Sequence, residues 1–599
     1  MKREGKEEEK TYQLFDQFIE QVVVDGNSFL LEGEEKLSSE AFEKCYDKYV
    51  ENTIEDSKQS YDEKINKQFE GADTNTKLVL AHAIWLWSFG VQDKKKTTKQ
   101  AYTKNLLEGV YDLREDEVYP RGVGTAGQWH SQNKYHEIRF TFLLIRHLRK
   151  QLDNGQLNKE DIRNRIEEVC LYQKYGIEFN GIEALTDLRE DLPTNSLAIA
   201  NILLHFAHPH NYEPIASDGH KKRIVSSFSG LLNKDVRKGS DISRDQKIKE
   251  IRLALSPLNR DNFSFYDRKL KKVWNYSAIQ KDFDEIEGLE YKKAIILYGP
   301  PGTSKTYAAK NIAESLITKH FLKDKENVHR FFEVDGEDYL EDRITELQLH
   351  PSYTYEDFVA GMQLKDNETK PVRGKLFDIC ESAANDKQDL PHVLILDEIN
   401  RIDLSQLFGE VFSLLENRNK PIPVAVGEGE KFKLQIPDNL YVIGTMNEID
   451  FSLERIDFAL RRRFLWYNYG FNPDRLESII RHKEQEVYKV DLGDEQIERF
   501  VTNATKLNNE ISNIAELGEQ YEIGHTFFAE VVDVYNRYKI MNSKTSRIKK
   551  KIFRDDGPAE ILWDISIKPI LESFFGSMNP EEVKKKIGEL NKIYLQKLN

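Results

Sequence analysis

Two spacings of hydrophobic positions divide this chain. Up to about residue 275 apolar residues recur with a helical period. Tyr12-Gln13-Leu14-Phe15-Asp16-Gln17-Phe18-Ile19 gathers its apolar members on one face, which predicts an amphipathic helix. Residues 78–87 are apolar nearly all round, which predicts a buried helix with Trp85, Trp87 and a satisfied His82 in the core. Residues 138–145 and 198–206 read as further buried elements. Beyond 275 the pattern becomes short apolar runs with polar ends, at 294–298, 393–396 and 440–445. Bounded runs of this length predict strands buried on both faces of a parallel sheet. Residues 423–434, centred on Gly427-Glu428-Gly429, predict a β-hairpin. Helical spacing returns from about residue 470. The expected organisation is a mainly α-helical N-terminal region over 1–275, an α/β core with flanking helices and a hairpin insertion over 276–470, and a helical lid over 471–599. Leu270-Lys271-Lys272-Val273-Trp274 reads as the linker into the core.

The strand ends carry the chemistry. Gly299-Pro300-Pro301-Gly302-Thr303-Ser304-Lys305-Thr306 follows the first apolar run and precedes a helical pattern opening at Tyr307. Strand, Gly-rich turn, Lys-Thr and helix make a phosphate-binding loop, so 299–307 are candidate nucleotide contacts. Gly299 and Gly302 let backbone N–H groups close around phosphates, and the helix N-terminus adds partial positive charge. Lys305 reaches the terminal phosphates, and the Thr306 hydroxyl is a candidate Mg²⁺ ligand. Ser304 stands where such loops usually carry a glycine. The second run ends in Asp397-Glu398, at the edge where open α/β sheets bind ligands. Asp397 is a candidate Mg²⁺ ligand, and Glu398 is a candidate for polarising the attacking water. The third run ends in Met446-Asn447-Glu448-Ile449-Asp450, which places Asn447 to orient that water with Asp450 one turn away. Arg461-Arg462-Arg463 follows an apolar helix face, and one of the three reads as an arginine finger for a neighbouring subunit's site.

Together the phosphate loop, Leu396-Asp397-Glu398-Ile399-Asn400-Arg401, Gly444-Thr445-Met446-Asn447-Glu448-Ile449-Asp450 and Ala459-Leu460-Arg461-Arg462-Arg463-Phe464 resemble the AAA+ motor of the McrB family. His350-Pro351-Ser352-Tyr353-Thr354-Tyr355-Glu356-Asp357-Phe358 and Ile523-Gly524-His525-Thr526-Phe527-Phe528 extend the resemblance, which covers roughly residues 276–599. It implies a nucleoside triphosphatase, GTP-driven rather than ATP-driven, that forms a ring, usually a hexamer. It also implies a restriction system with DNA as target and a separate McrC-like endonuclease subunit. In related rings a hairpin such as 423–434 faces the pore or the partner. An AAA+ chaperone is the rival reading, against which the Met-Asn-x-x-Asp element argues. A nucleotide-gated scaffold is the other, against which intact Lys305, Asp397 and Glu398 argue.

A formal net charge of −15 excludes a globally basic nucleic-acid binder and leaves only a local basic path. Two candidate stretches offer one. Arg121, Lys134, Tyr135, His136 and Arg139 surround a Gly-rich loop at 122–130, and His220-Lys221-Lys222-Arg223 forms a second group. Lys544 to Arg554 adds a basic segment in the lid. The three cysteines, Cys45, Cys170 and Cys380, lie far apart, which suggests a reducing, cytoplasmic setting. His208, His210 and His220 lack a metal-ligand spacing. No signal peptide and no membrane span is expected, because no apolar stretch approaches about 18 residues.

Overall fold

In a computed structural model the chain forms two compact units, one of residues 1–225 and 234–263, the other of 226–233 and 264–599. The structure describes residues 5–596 except 54–60, 93, 108–112, 115, 125–129, 131–132, 178–187, 189–190, 195–196, 234, 237–242, 257–262, 277–282, 325, 333–337, 366–367, 427–429, 450–457, 542–551, 554–555 and 577. No helix among the described residues is long and apolar enough to cross a membrane.

The first unit is helical around one aromatic core. The helix Thr74–Ser88 starts on an Asp73 cap and is buried on nearly every side, as its apolar run requires. Trp85 stacks between Phe18, at 4.7 Å, and Phe89, at 4.8 Å. Thr141 of the helix Lys134–Asp153 donates to the Ala83 carbonyl at 2.9 Å, joining the two longest core helices. His82 is a core histidine with both ring nitrogens used, one at 2.9 Å from the Phe29 amide and the other at 2.7 Å from the Leu78 carbonyl.

Several basic residues of this unit are locked into it, Lys221 and Arg223 among them, which corrects the reading of His220–Arg223 as a DNA contact group. Lys221 is fully buried and pairs with the buried Asp245, while Arg223 is buried as well. A lysine at this place satisfies a carboxylate that the core already encloses. Lys134 is likewise occupied: its ammonium lies 2.8 Å from Asp62 and 4.4 Å from the ring centroids of both Tyr61 and Tyr102. Of the Gly-rich loop, 125–129 lies outside the described residues, as does most of the Lys544–Arg554 segment.

The second unit holds a five-stranded parallel sheet. Its strands are β1 (Ala294–Gly299), β2 (Ile344–Gln348), β5 (His392–Asp397), β8 (Leu440–Asn447) and β9 (Leu465–Asn468), in the order β2-β5-β8-β1-β9. β1, β5 and β8 are buried along almost their whole length, so their apolar runs are continuous rather than alternating. Two hairpins leave the sheet. β3 (Ala360–Lys365) pairs with β4 (Glu368–Arg373), and β6 (Ile422–Val426) pairs with β7 (Glu430–Leu434). The second is the expected hairpin; the first gave no alternating signal in the sequence. Residues beyond 470 form helices around a separate apolar core.

Leu270–Trp274 is not a linker. It lies in the helix Arg268–Trp274, whose Leu270, Val273 and Trp274 are buried. The Lys272 carbonyl accepts from Ser315 of the helix Lys305–Phe321 at 2.9 Å, and the Trp274 indole donates to the Phe265 carbonyl at 2.8 Å. The three apolar residues in seven cover one face, and the intervening lysines face out. The division between units accordingly falls at Phe263–Ser264 rather than at 275.

Candidate nucleotide site

Strand register assembles the site. Gly299 at the end of β1 pairs with Asn447 at the end of β8, and Leu396 of β5 pairs with Gly444 of β8. Gly299, Asp397, Glu398 and Asn447 therefore meet at one edge of the sheet, where the helix Lys305–Phe321 begins.

Within the loop, Gly302 has φ 75° and Ser304 has φ 60°. Left-handed positions of this kind turn successive N–H groups into a common hollow. Glycine takes them without cost, whereas Ser304 has to be held there. Lys305 is buried, and its ammonium donates to the Pro300 carbonyl at 2.7 Å and the Gly299 carbonyl at 3.1 Å. Thr303 also donates to Pro300, at 2.9 Å. Pro301 lies beside the lid, and Tyr307, in the first helical turn, is exposed.

The Thr306 hydroxyl donates to an Asp397 carboxylate oxygen at 2.8 Å. Thr445 of β8 donates to the same oxygen and receives the Glu398 amide at 3.3 Å. One threonine thus holds both acids, a role that nothing in the linear sequence announced. Oxygen donors alone, a hydroxyl and a carboxyl group, suit Mg²⁺. Glu398 has φ 57°, and its carboxylate pairs with Arg401 of the same motif. Asn400 donates to the Asn447 carbonyl at 3.4 Å, tying the turn after β5 to β8. Glu448 faces Lys305, and burial holds its carboxyl above the usual carboxylate range. Asp450 lies outside the described residues.

The three arginines separate. Arg463 is 10% exposed, its guanidinium 4.5 Å from the Phe412 ring centroid and 3.4 Å from Glu416. Arg461 is exposed, and Arg462 is 66% exposed, with Glu416 at 3.6 Å. Arg463 is therefore engaged within its own chain, and Arg461 and Arg462 are the two that face outward.

The lid closes on the loop through Ile523–Phe528. Gly524 lies backbone to backbone against Gly302 and Pro301, leaving no room for a methyl group there. The Thr526 amide and hydroxyl both donate to the Gly302 carbonyl, at 3.0 and 2.8 Å. His525 Nε2 is 3.2 Å from the Ser304 hydroxyl. Burial, with the charges of Arg475 and Lys305, pushes the imidazole pKa down to about 3, so the ring is neutral.

Residues 294–464 match the AAA domain of the dynein-related subfamily, a nucleoside-triphosphatase fold. Over 250 residues the chain is 32% identical to the McrB subunit of a type IV methyl-directed restriction enzyme of Escherichia coli, a stretch covering 41% of this chain and 49% of that protein. The chain thus spans about half the length of that relative. It is 22% identical to the YdiS component of the Bacillus subtilis type II restriction enzyme BsuMI, over 47% of this chain and 86% of that one. A proteasome-associated ATPase of Gordonia bronchialis is 25% identical over 33% of this chain and 34% of its own. Among solved structures, NtrX of Brucella abortus aligns at 11% identity with a TM-score of 0.26, over 58% of this chain and 74% of that one, too distant to carry an argument. Sequence match, parallel sheet and phosphate-loop geometry agree: residues 294–464 of this chain form an AAA domain, within a C-terminal half that is similar to the McrB subunit.

Proposed function

We propose that this chain is the NTP-hydrolysing ring motor of a restriction system, cytoplasmic, that binds DNA and drives a separate McrC-like endonuclease. The observation that carries the reading is the contact of Thr306 with Asp397 beside Glu398, above a loop that holds Lys305. Lys305 and the amides of 299–306 bind the triphosphate. Thr306 and Asp397 would hold Mg²⁺, which when bound would neutralise charge on the phosphates. Glu398 polarises the attacking water and Asn447 orients it. Glu398 leaves its pairing with Arg401 to do so. Arg461 or Arg462 completes the site of a neighbouring copy in a hexamer. GTP is the preferred nucleotide, on family resemblance alone, since loop and acids read phosphate and metal rather than base. The N-terminal unit selects the DNA.

A turnover assay of the purified chain with GTP and with ATP, with and without DNA and the endonuclease, tests this reading. Preferential GTP turnover, stimulated by the partner, is expected; ATP preference in direct competition would overturn the nucleotide assignment. A protein-remodelling ATPase is the second reading, favoured by the similarity to the proteasome-associated ATPase. It wins if the chain remodels a protein substrate and binds no DNA.

A further inference from the structure

His525 and Thr526 raise a question that the nucleotide-site reading does not answer. Two of the buried histidines, His82 and His525, differ in how their rings are used. His82 uses both ring nitrogens on backbone groups, as a purely structural histidine does. His525 is 2% exposed, yet only Nε2 is engaged, on Ser304, and Nδ1 has no hydrogen-bond partner. A buried imidazole with an orphaned nitrogen is retained at a cost. Its one contact falls on the residue of the phosphate loop that most needs support, a serine in a left-handed conformation.

Thr526 supplies the second half. A peptide unit is planar and trans, so the Gly302 carbonyl and the Thr303 amide point in opposite directions. Two hydrogen bonds from Thr526 hold that carbonyl toward the lid. The Thr303 N–H is thereby held away from the lid residue, on the loop's other side. Gly524, packed without a side chain against Gly302, permits the approach.

We propose that His525 and Thr526 form a clasp that presets the phosphate loop for the triphosphate, Thr526 by fixing the Gly302–Thr303 peptide and His525 by holding Ser304. Both are positioning residues that act through the loop. The proposal rests on the nucleotide-site reading and adds that lid and loop are one binding unit. A serine in place of the usual glycine and a histidine in the lid are then two parts of one device.

The test is calorimetric binding of the non-hydrolysable GTP and ATP imido analogues to the full chain, with kcat, KM and Tm measured in parallel. Losing one hydrogen bond of this kind weakens binding about fivefold. His525→Leu is expected to show about that loss in Kd and KM, with a smaller effect on kcat. His525→Gln, which keeps a hydrogen-bonding group near Nε2, recovers most of it. In a Ser304→Gly background, where the left-handed conformation needs no support, His525→Leu should cost less than about twofold. Thr526→Val should weaken binding by a smaller factor, since the backbone bond remains. Equal weakening by Leu and Gln together with a lowered Tm, or an unchanged cost in the Ser304→Gly background, would overturn the clasp. Wild-type protein that binds neither analogue overturns the nucleotide reading as well, whereas tight binding by wild type and His525→Leu alike overturns the clasp alone.

Discussion

The two units use charge in opposite ways. In the motor, charged and hydroxyl side chains collect at the open ends of buried strands, where Thr306, Asp397 and Glu398 share one edge. In the N-terminal unit, several basic side chains are instead drawn inward and neutralised. Lys221 lies against Asp245, and the Lys99 ammonium donates to the carbonyls of Phe89, Pro120 and Arg121 at 3.0, 2.8 and 3.1 Å. A strand end cannot bury its acids, because the sheet stops there, so they remain available for chemistry. A lysine inside a helical unit has no such exit and becomes part of the scaffold. Basic residues in a sequence therefore do not by themselves mark a binding surface.

This contrast is breakable, and the largest effect is expected in the motor. Lys305→Ala should abolish triphosphate binding, measured by calorimetry, and leave the chain folded by circular dichroism. Binding that survives would remove the loop from the mechanism. Arg461→Ala or Arg462→Ala should lower turnover by about 10³-fold, and Arg463→Ala by far less, because Arg463 is held by Phe412 and Glu416. Mixing the finger variant with a Glu398 variant should restore part of the rate if the finger acts in trans. Greatest loss at Arg463 would reverse the assignment.

In the N-terminal unit the same kind of change should strike stability. Lys221→Met leaves Asp245 buried and unpaired, which costs about 3–5 kcal/mol. Urea titration followed by hydrogen exchange in 1–225 checks this, and replacing Asp245 by Leu as well should recover much of the loss. A pH effect of about 3 kcal/mol over the full window, about 2 kcal/mol of it between pH 7 and 5, is expected in the same unit. Burial pushes His82 down to about 4 from an ordinary 6.5, so the unfolded chain binds a proton that the folded chain refuses between those values. The stabilisation is complete above about pH 6.5 and is lost as pH falls toward 4. Exchange rates along Thr74–Ser88 between pH 7 and 5 report it, and His82→Gln should flatten the slope. Smallest of all, Arg121→Ala, at an exposed arginine, should lower the salt dependence of any DNA binding by about one charge without touching stability.

What could be read from the linear chain follows the same division. The phosphate loop, Asp397 and Glu398 were legible because each belongs to a local unit, a strand followed by its turn. Thr445 was not, because its role depends on the register of β8 beside β5. Nor was the contact of His525 with Ser304, which lie 221 positions apart. Lys221 was misread because Asp245 follows 24 positions later, in another helix. Leu270–Trp274 was misread as a linker because its lysines masked a three-residue apolar face. The helices of the first unit were visible from their period, but period alone says nothing about which charged residues turn inward.

The central claim is that Glu398 polarises the attacking water at a site whose phosphate loop binds the triphosphate. Glu398→Gln keeps size and hydrogen bonding but cannot polarise water as a carboxylate does. Measuring analogue affinity and steady-state turnover on the same preparation of this variant tests the claim directly. The predicted result is wild-type binding with kcat lowered by about 10²-fold or more. Turnover at the wild-type rate would contradict the claim and move the catalytic base elsewhere.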